Sequence, residues 1–238
     1  MNYFTSIVER GDSPSIEAKT MKHEPNGEVD AIRYLVLQKL AAGLRHSLLG
    51  ELQAIQFSAE LAARLLQRGE DLPRAREKVS QIPDQCTVAA ETCRSMIGWL
   101  RPEEDRTTTV TDGIRQCVKI AGDDWAMRGI EATTHVPVAD VRVAKVALQE
   151  LVITSLLVLT DMHPAAIDID IDTKTLEDQV EIRLRARPSD RDSSFPPLAL
   201  YRRLEWVDLE LLARVHGVSC SSDGDAVALR FFQMTEST

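Results

Sequence analysis

The stretch Leu44 to Ile55 reads LRHSLLGELQAI. Leu44, Leu48, Leu52 and Ile55 are spaced by three or four residues, which lines one face of an α-helix. The same stripe continues upstream through Leu37 and Ala41, and downstream through Ala59, Ala62 and Leu66, with no proline in the segment. The spacing predicts one helix of about 40 residues from Glu28, ending at Gly69 as its C′ residue. His46 stands apart from this stripe. At 100° per residue it lies roughly 180° from the midpoint of Leu44 and Leu48. Its neighbours on the outer face are Ala42, Gly43, Leu49 and Gly50. Each glycine costs a helix about 1 kcal/mol against alanine. Small residues one turn to either side leave the imidazole open to a partner. The same pattern also fits an ordinary surface histidine beside two incidental glycines.

Beyond Gly69, EDLP makes a short turn, with Asp71 a candidate N-cap and Pro73 tolerated in a first turn. A second stripe follows at Val79, Ile82, Cys86, Ala90, Cys93, Ile97 and Leu100. Pro83 interrupts it and is expected to kink the helix or mark its start. Two long helices joined by a short turn form an antiparallel hairpin, and two helices alone bury little. Either a second copy completes a four-helix bundle, or the hairpin packs onto the rest of its own chain.

The charged run RPEEDRTTT, Arg101 to Thr109, contains no apolar residue and reads as a domain boundary. The texture then changes. Val110 to Ala126 reads as a helix, GIEATTHVPV as a strand, and Val141 to Leu159 as a buried helix. IDIDIDT (Ile167 to Thr173) and VEIRLRA (Val180 to Ala186) both alternate strictly, as half-buried strands do, with a hairpin connection between them. Their outer faces carry Asp168, Asp170 and Asp172 against Glu181, Arg183 and Arg185, and opposite charges across a strand pair contribute about 0.2–1 kcal/mol each. Leu204 to His216 reads as a helix ending at Gly217, and VSCSS, DGD and AVALRFF as a closing strand pair. The expected fold is therefore α+β: an arm over residues 1–27, a helical hairpin over 28–101, a linker over 102–109, and a two-layer α/β sandwich over 110–238.

The whole chain excludes several classes. Its 238 residues are 44% hydrophobic, enough for one or two domains with a true core. The formal charge of −9 and the lack of a basic patch argue against nucleic acid. No apolar run approaches the ~20 residues of a membrane span, and the N-terminus lacks the apolar segment of a secretory signal. Cys86, Cys93, Cys117 and Cys220 form no CxxC pair and read as reduced thiols of a cytoplasmic protein. His216, beside Gly217, suits the negative end of a helix. His135, His163 and His23 sit at element edges or in the arm, and no pair has metal-ligand spacing.

The order of these parts resembles the core of sensor histidine kinases, in which a dimerisation and histidine-phosphotransfer hairpin precedes a nucleotide-binding α/β domain. The family's phosphorylation box runs histidine, five residues, leucine, two residues, isoleucine, and His46, Leu52 and Ile55 meet it. LQELVITSLLVL (Leu148 to Leu159) resembles the family's asparagine-bearing helix, and Val207 to Phe232 its last helix and strands. The likeness covers residues 30 to 235. The departures are specific. Thr154 stands where the magnesium-holding asparagine belongs. Ala186 stands near the adenine-binding aspartate. FPPLALYRRLEW replaces the glycine-rich lid, and no glycine occurs between Gly129 and Gly217. A phosphate cradle needs the close backbone approach that glycine permits. Ser47 follows the histidine where the family usually has an acid.

The resemblance thus implies a pseudokinase-like bacterial phosphorelay protein, dimeric and without its own nucleotide. His46 would accept a phosphoryl group from one receiver-domain aspartate and pass it to another, and the receiver would bring the magnesium. Lys39, Ala42, Arg45, Leu49, Gly50 and Gln53 form the candidate partner surface. Receiver domains, a hybrid sensor kinase and a second copy of the chain are the implied partners. Two other readings stay open: a non-catalytic kinase-derived regulator, and a histidine kinase with an atypical nucleotide site.

Overall fold

The computed structural model describes residues 25–69, 71–100, 106–122, 125–135, 141–191 and 202–234. The expected arm lies outside these, except that residues 25–27 already belong to the first helix. Helix α1 spans Pro25–Arg68, 44 residues, and a proline suits the first turn because its N–H would be unpaired there anyway. Gly69 takes a left-handed φ of 63°, the expected C′ conformation. Helix α2 spans Leu72–Leu100. Asp71 caps it, its Oδ1 accepting the Arg74 N–H at 3.1 Å. Pro83 lies inside α2 rather than at its start.

The second half runs β1 (Thr107–Thr109), α3 (Val110–Ala121), α4 (Trp125–Arg128), β2 (Glu131–His135), β3 (Arg142–Ala144), α5 (Lys145–Met162), β4 (Ile167–Thr175), β5 (Gln179–Pro188), α6 (Trp206–Val215), β6 (Ser219–Asp223) and β7 (Ala226–Phe232). Three expectations are corrected. Thr107–Thr109, read as linker, is a strand paired antiparallel with β3, because β-branched threonines fit extended pairing. The helix expected over 110–126 stops at Ala121, capped by Gly122. The helix expected from Val141 begins only after β3.

The main sheet has the order β2-β4-β5-β7-β6, with β2 parallel to β4 and the other pairs antiparallel. Alternation decides its two faces. Ile167, Ile169 and Ile171 of β4, Ile182 and Leu184 of β5, and Leu229 and Phe231 of β7 are buried. The outer face carries a charge ladder in register, Asp168 opposite Arg187, Asp170 opposite Arg185 and Asp172 opposite Arg183, with Arg187 in the place expected for Glu181, which lies opposite Lys174. The pairs lock partly on the diagonal, Arg187 reaching Asp170 at 2.8 Å. Helix α5 crosses the inner face and is buried at every position from Leu151 to Thr160, as a helix apolar on all sides must be.

Helix α1 has two different neighbours along its length. Val29, Ile32, Leu35, Val36, Leu40 and Leu44 are buried and belong to the same core cluster as Leu148, Leu156 and Leu209 of the α/β layers. There the chain covers its own hairpin. Past Leu44 the two hairpin helices meet through small residues, with Ser58, Ala62, Ala75, Ala89 and Thr92 buried. Several large members of both predicted stripes are left half-exposed, Leu52 50%, Leu66 53%, Val79 50% and Ile97 59%, while Leu48, Ile55 and Ile82 are of intermediate burial. Only one edge of each stripe faces the other helix, so a single hairpin buries about half of it.

Candidate functional site

His46 projects from the middle of α1. It is exposed, and no hydrogen bond or ion pair holds it among the described residues. Gly50, one turn on, has nothing within 4 Å of where a Cβ would stand. No packing among the described residues therefore requires a glycine there. Arg45 and Gln53 are exposed, and Leu49 is 52% exposed. The side chain of Ala42 lies outside the described ones. Phe57, 66% exposed, extends the same face: eleven residues beyond His46 is three turns, within about 20° of the same direction. The sequence reading missed it, although that spacing was the available signal.

Lys39 does not belong to this open surface. Its Nζ lies 2.9 Å from Asp161 Oδ2, and the two side chains are only 13% and 12% exposed. The ammonium is committed to α5, because the buried half of α1 carries it toward the α/β layer. Asp161 Oδ2 also accepts the Leu204 N–H at 2.8 Å. A second lock lies further toward the start of α1. Arg33 Nε donates to Glu150 Oε1 at 2.6 Å, and His216 Nε2 closes on the other oxygen, Oε2. Burial pushes the Glu150 carboxyl up, but the hydrogen bonds from His216 and Arg33 together outweigh it and hold the group below the ordinary carboxylate range. His216 is the C-cap of α6, as expected. Its link to Glu150, 66 positions away, was invisible to local pattern.

The positions at which the resemblance departs from the kinase pattern are occupied by packing. Thr154 is fully buried, and its Oγ1 donates to the Glu150 carbonyl one turn back at 2.7 Å. Ala186 faces the core at 3% exposure. The start of FPPLALYRRLEW falls outside the described residues. At its described end, Arg202 pairs with Asp208 at 2.9 Å. Among the described residues, no helix is long and apolar enough to cross a membrane. Cys117 is buried, and desolvation pushes its thiol far up, which leaves it inert.

No family model matches the sequence, and no curated protein does either. Several solved structures are similar at low identity. The catalytic domain of histidine kinase ThkA, in a nucleotide-free form, matches at 11% identity and TM-score 0.39 over 53% of this chain and 93% of that one. The Acinetobacter baumannii histidine kinase AdeS matches at 9% identity and TM-score 0.39 over 81% of this chain and 98% of that one. Histidine kinase ThkA in complex with response regulator protein TrrA matches at 17% identity and TM-score 0.41 over 87% of this chain and 67% of that one.

Proposed function

We propose that this chain is a histidine phosphotransfer protein of a two-component phosphorelay, acting as a dimer with His46 as the phosphoryl carrier. The observation that carries the reading is the pairing of an exposed, unpartnered imidazole with the open space beside Gly50. A glycine in mid-helix costs about 1 kcal/mol, and nothing within the chain asks for it. A docked receiver domain does ask for it, because its active site must reach the ring. Leu49 and Phe57 supply apolar contact on that face, and Arg45 and Gln53 supply polar contact.

In the transfer, a neutral ring nitrogen of His46 attacks the phosphorus of an aspartyl phosphate. The N–P bond forms as the P–O bond to the receiver's carboxylate breaks, and the carboxylate leaves with the electron pair. The reverse sequence, on a second receiver, discharges the histidine. Imidazole is a competent nucleophile near neutral pH. Phosphoryl transfer otherwise depends on positioning and charge stabilisation, which the receiver's own magnesium site would supply. The buried Thr154 hydroxyl, bonded within its helix, is unsuited to hold a magnesium of this chain's own.

The half-buried stripes support dimerisation. Leu48, Leu52, Ile55 and Leu66 of α1, with Val79 and Ile97 of α2, would form the seam of a four-helix bundle. The test is transfer of label from phosphorylated receiver domains to wild type and to His46→Ala, beside a lane with ATP alone. Acid-labile label on wild type only, and none from ATP, supports the reading. Label on both proteins, or label from ATP, sinks it. No label despite demonstrated receiver binding would leave a non-catalytic regulator.

A further inference from the structure

A cleft of about 360 Å³ lies where the hairpin meets the α/β layers, lined by Leu44 and Ser47 of α1, Glu91, Thr92 and Arg94 of α2, and residues of α3 and α5. Those of α3 and α5 include Gln116, Lys119, Lys145 and Gln149. Three features set it apart. The side-chain cations of Arg94, Lys119 and Lys145 line it with no hydrogen bond or ion pair among the described residues. In a chain with 37 acidic against 28 basic side chains, three unpaired cations around one cavity, with Glu91 the single carboxylate of the lining, are not a sample of the average surface. The floor is apolar, with Leu44 6% and Ile120 7% exposed. Beside them, Gln149 Nε2 donates to Gln116 Oε1 at 3.2 Å, which leaves the Gln149 side-chain oxygen and the Gln116 amide hydrogens available to a ligand.

An apolar base with a few converging polar groups is how small-molecule sites are built. We propose that this cleft binds a small anion carrying two or more negative charges, as phosphate or as several carboxylates. Such an anion is the one class that answers three unpaired cations in so small a space. Arg94 offers a planar fork for two oxygens, and the lysines offer point charges. The cleft lies on a different side of α1 from His46, since Leu44 and Ser47 line it and the histidine does not. The lining comes from both hairpin helices and from α3 and α5, so an occupant would tie the two halves of the chain together.

Isothermal titration at low salt, with pyrophosphate and citrate as probes, tests this on the full chain. The expected result is saturable binding of at least one probe, one per chain, weakened tenfold or more by Lys119→Gln/Lys145→Gln. The surface variant Arg76→Gln/Arg214→Gln should leave it unchanged. Gln149→Glu, which places a carboxylate in the cleft, should weaken it similarly and guards against a folding defect in the double variant. A preference for pyrophosphate or for citrate separates phosphate from carboxylate ligands. No binding of either probe below about 10 mM, or equal weakening by the cleft and surface variants, would overturn the proposal.

Discussion

Replacing Lys39 with Met removes one half of the ion pair that fastens α1 to α5. Both side chains are nearly enclosed, at 13% and 12% exposure, so this is not a solvated surface pair of at most about 1 kcal/mol. Lys39→Met leaves the Asp161 carboxylate enclosed, with the Leu204 N–H at 2.8 Å as its remaining donor among the described residues. Stranding a buried charge in this way costs about 3 kcal/mol. For a chain of this size that lowers Tm by about 6–12 °C. Asp161→Asn should cost less, about 1–2 kcal/mol, because a lysine stem can swing its ammonium toward water. It also keeps an acceptor for the Leu204 N–H. The double variant should cost less than the sum of the two, with a coupling of about 1–3 kcal/mol. Urea unfolding followed by circular dichroism measures all three. If Lys39→Met costs under about 0.5 kcal/mol, the range of ordinary surface changes, the pair is not formed and α1 is not held there.

Three further outcomes follow from particular residues. Glu150 has a folded pKa below its ordinary value of 4.5, so as pH falls the unfolded chain takes up the proton first. The stability this group contributes is complete above about 4.5 and is lost as pH falls through the folded value. Glu150→Gln should therefore lose stability less steeply in acid than wild type, and parallel pH profiles would contradict the Arg33–Glu150–His216 cluster. Leu52→Glu/Leu66→Glu should convert a dimer to a monomer by light scattering while helical content persists, and an unchanged mass would refute the bundle seam. Gly50→Ala should stabilise the fold by up to about 1 kcal/mol, whereas Gly50→Leu should slow transfer from a receiver tenfold or more. Equal rates for Gly50→Leu and wild type would remove the docking role assigned to that face.

Much of this architecture was legible because its signals are local. Strict alternation placed β4 and β5 and set Arg183 and Arg185 against Asp172 and Asp170, though Glu181 faces Lys174 and Arg187 takes the remaining aspartate. Periodicity found both hairpin helices, with Asp71 and Gly69 marking the turn. What escaped was set by contacts distant in sequence. The apolar stripe of α1 does not show that Val29 to Leu44 turn to the α/β core while Leu52 and Leu66 stay open, because each is simply apolar at helical spacing. Lys39 shares its projection with the histidine face, and only the docking of the α/β layer onto that half of α1 brings Asp161 within reach. The partnership of His216 with Glu150 depends on where α6 ends against α5. His46 is singled out by its exclusion from the stripe and by its neighbouring glycines, and the fold keeps its ring exposed.

The most direct test of the central claim is to locate the phosphoryl group. After incubation with a phosphorylated receiver domain, peptide mapping of the chain under conditions that preserve phosphohistidine should find the modification on His46. Adding a second, unphosphorylated receiver should then discharge it. Modification at any other residue, or a phosphorylated His46 that no receiver can discharge, would contradict the account.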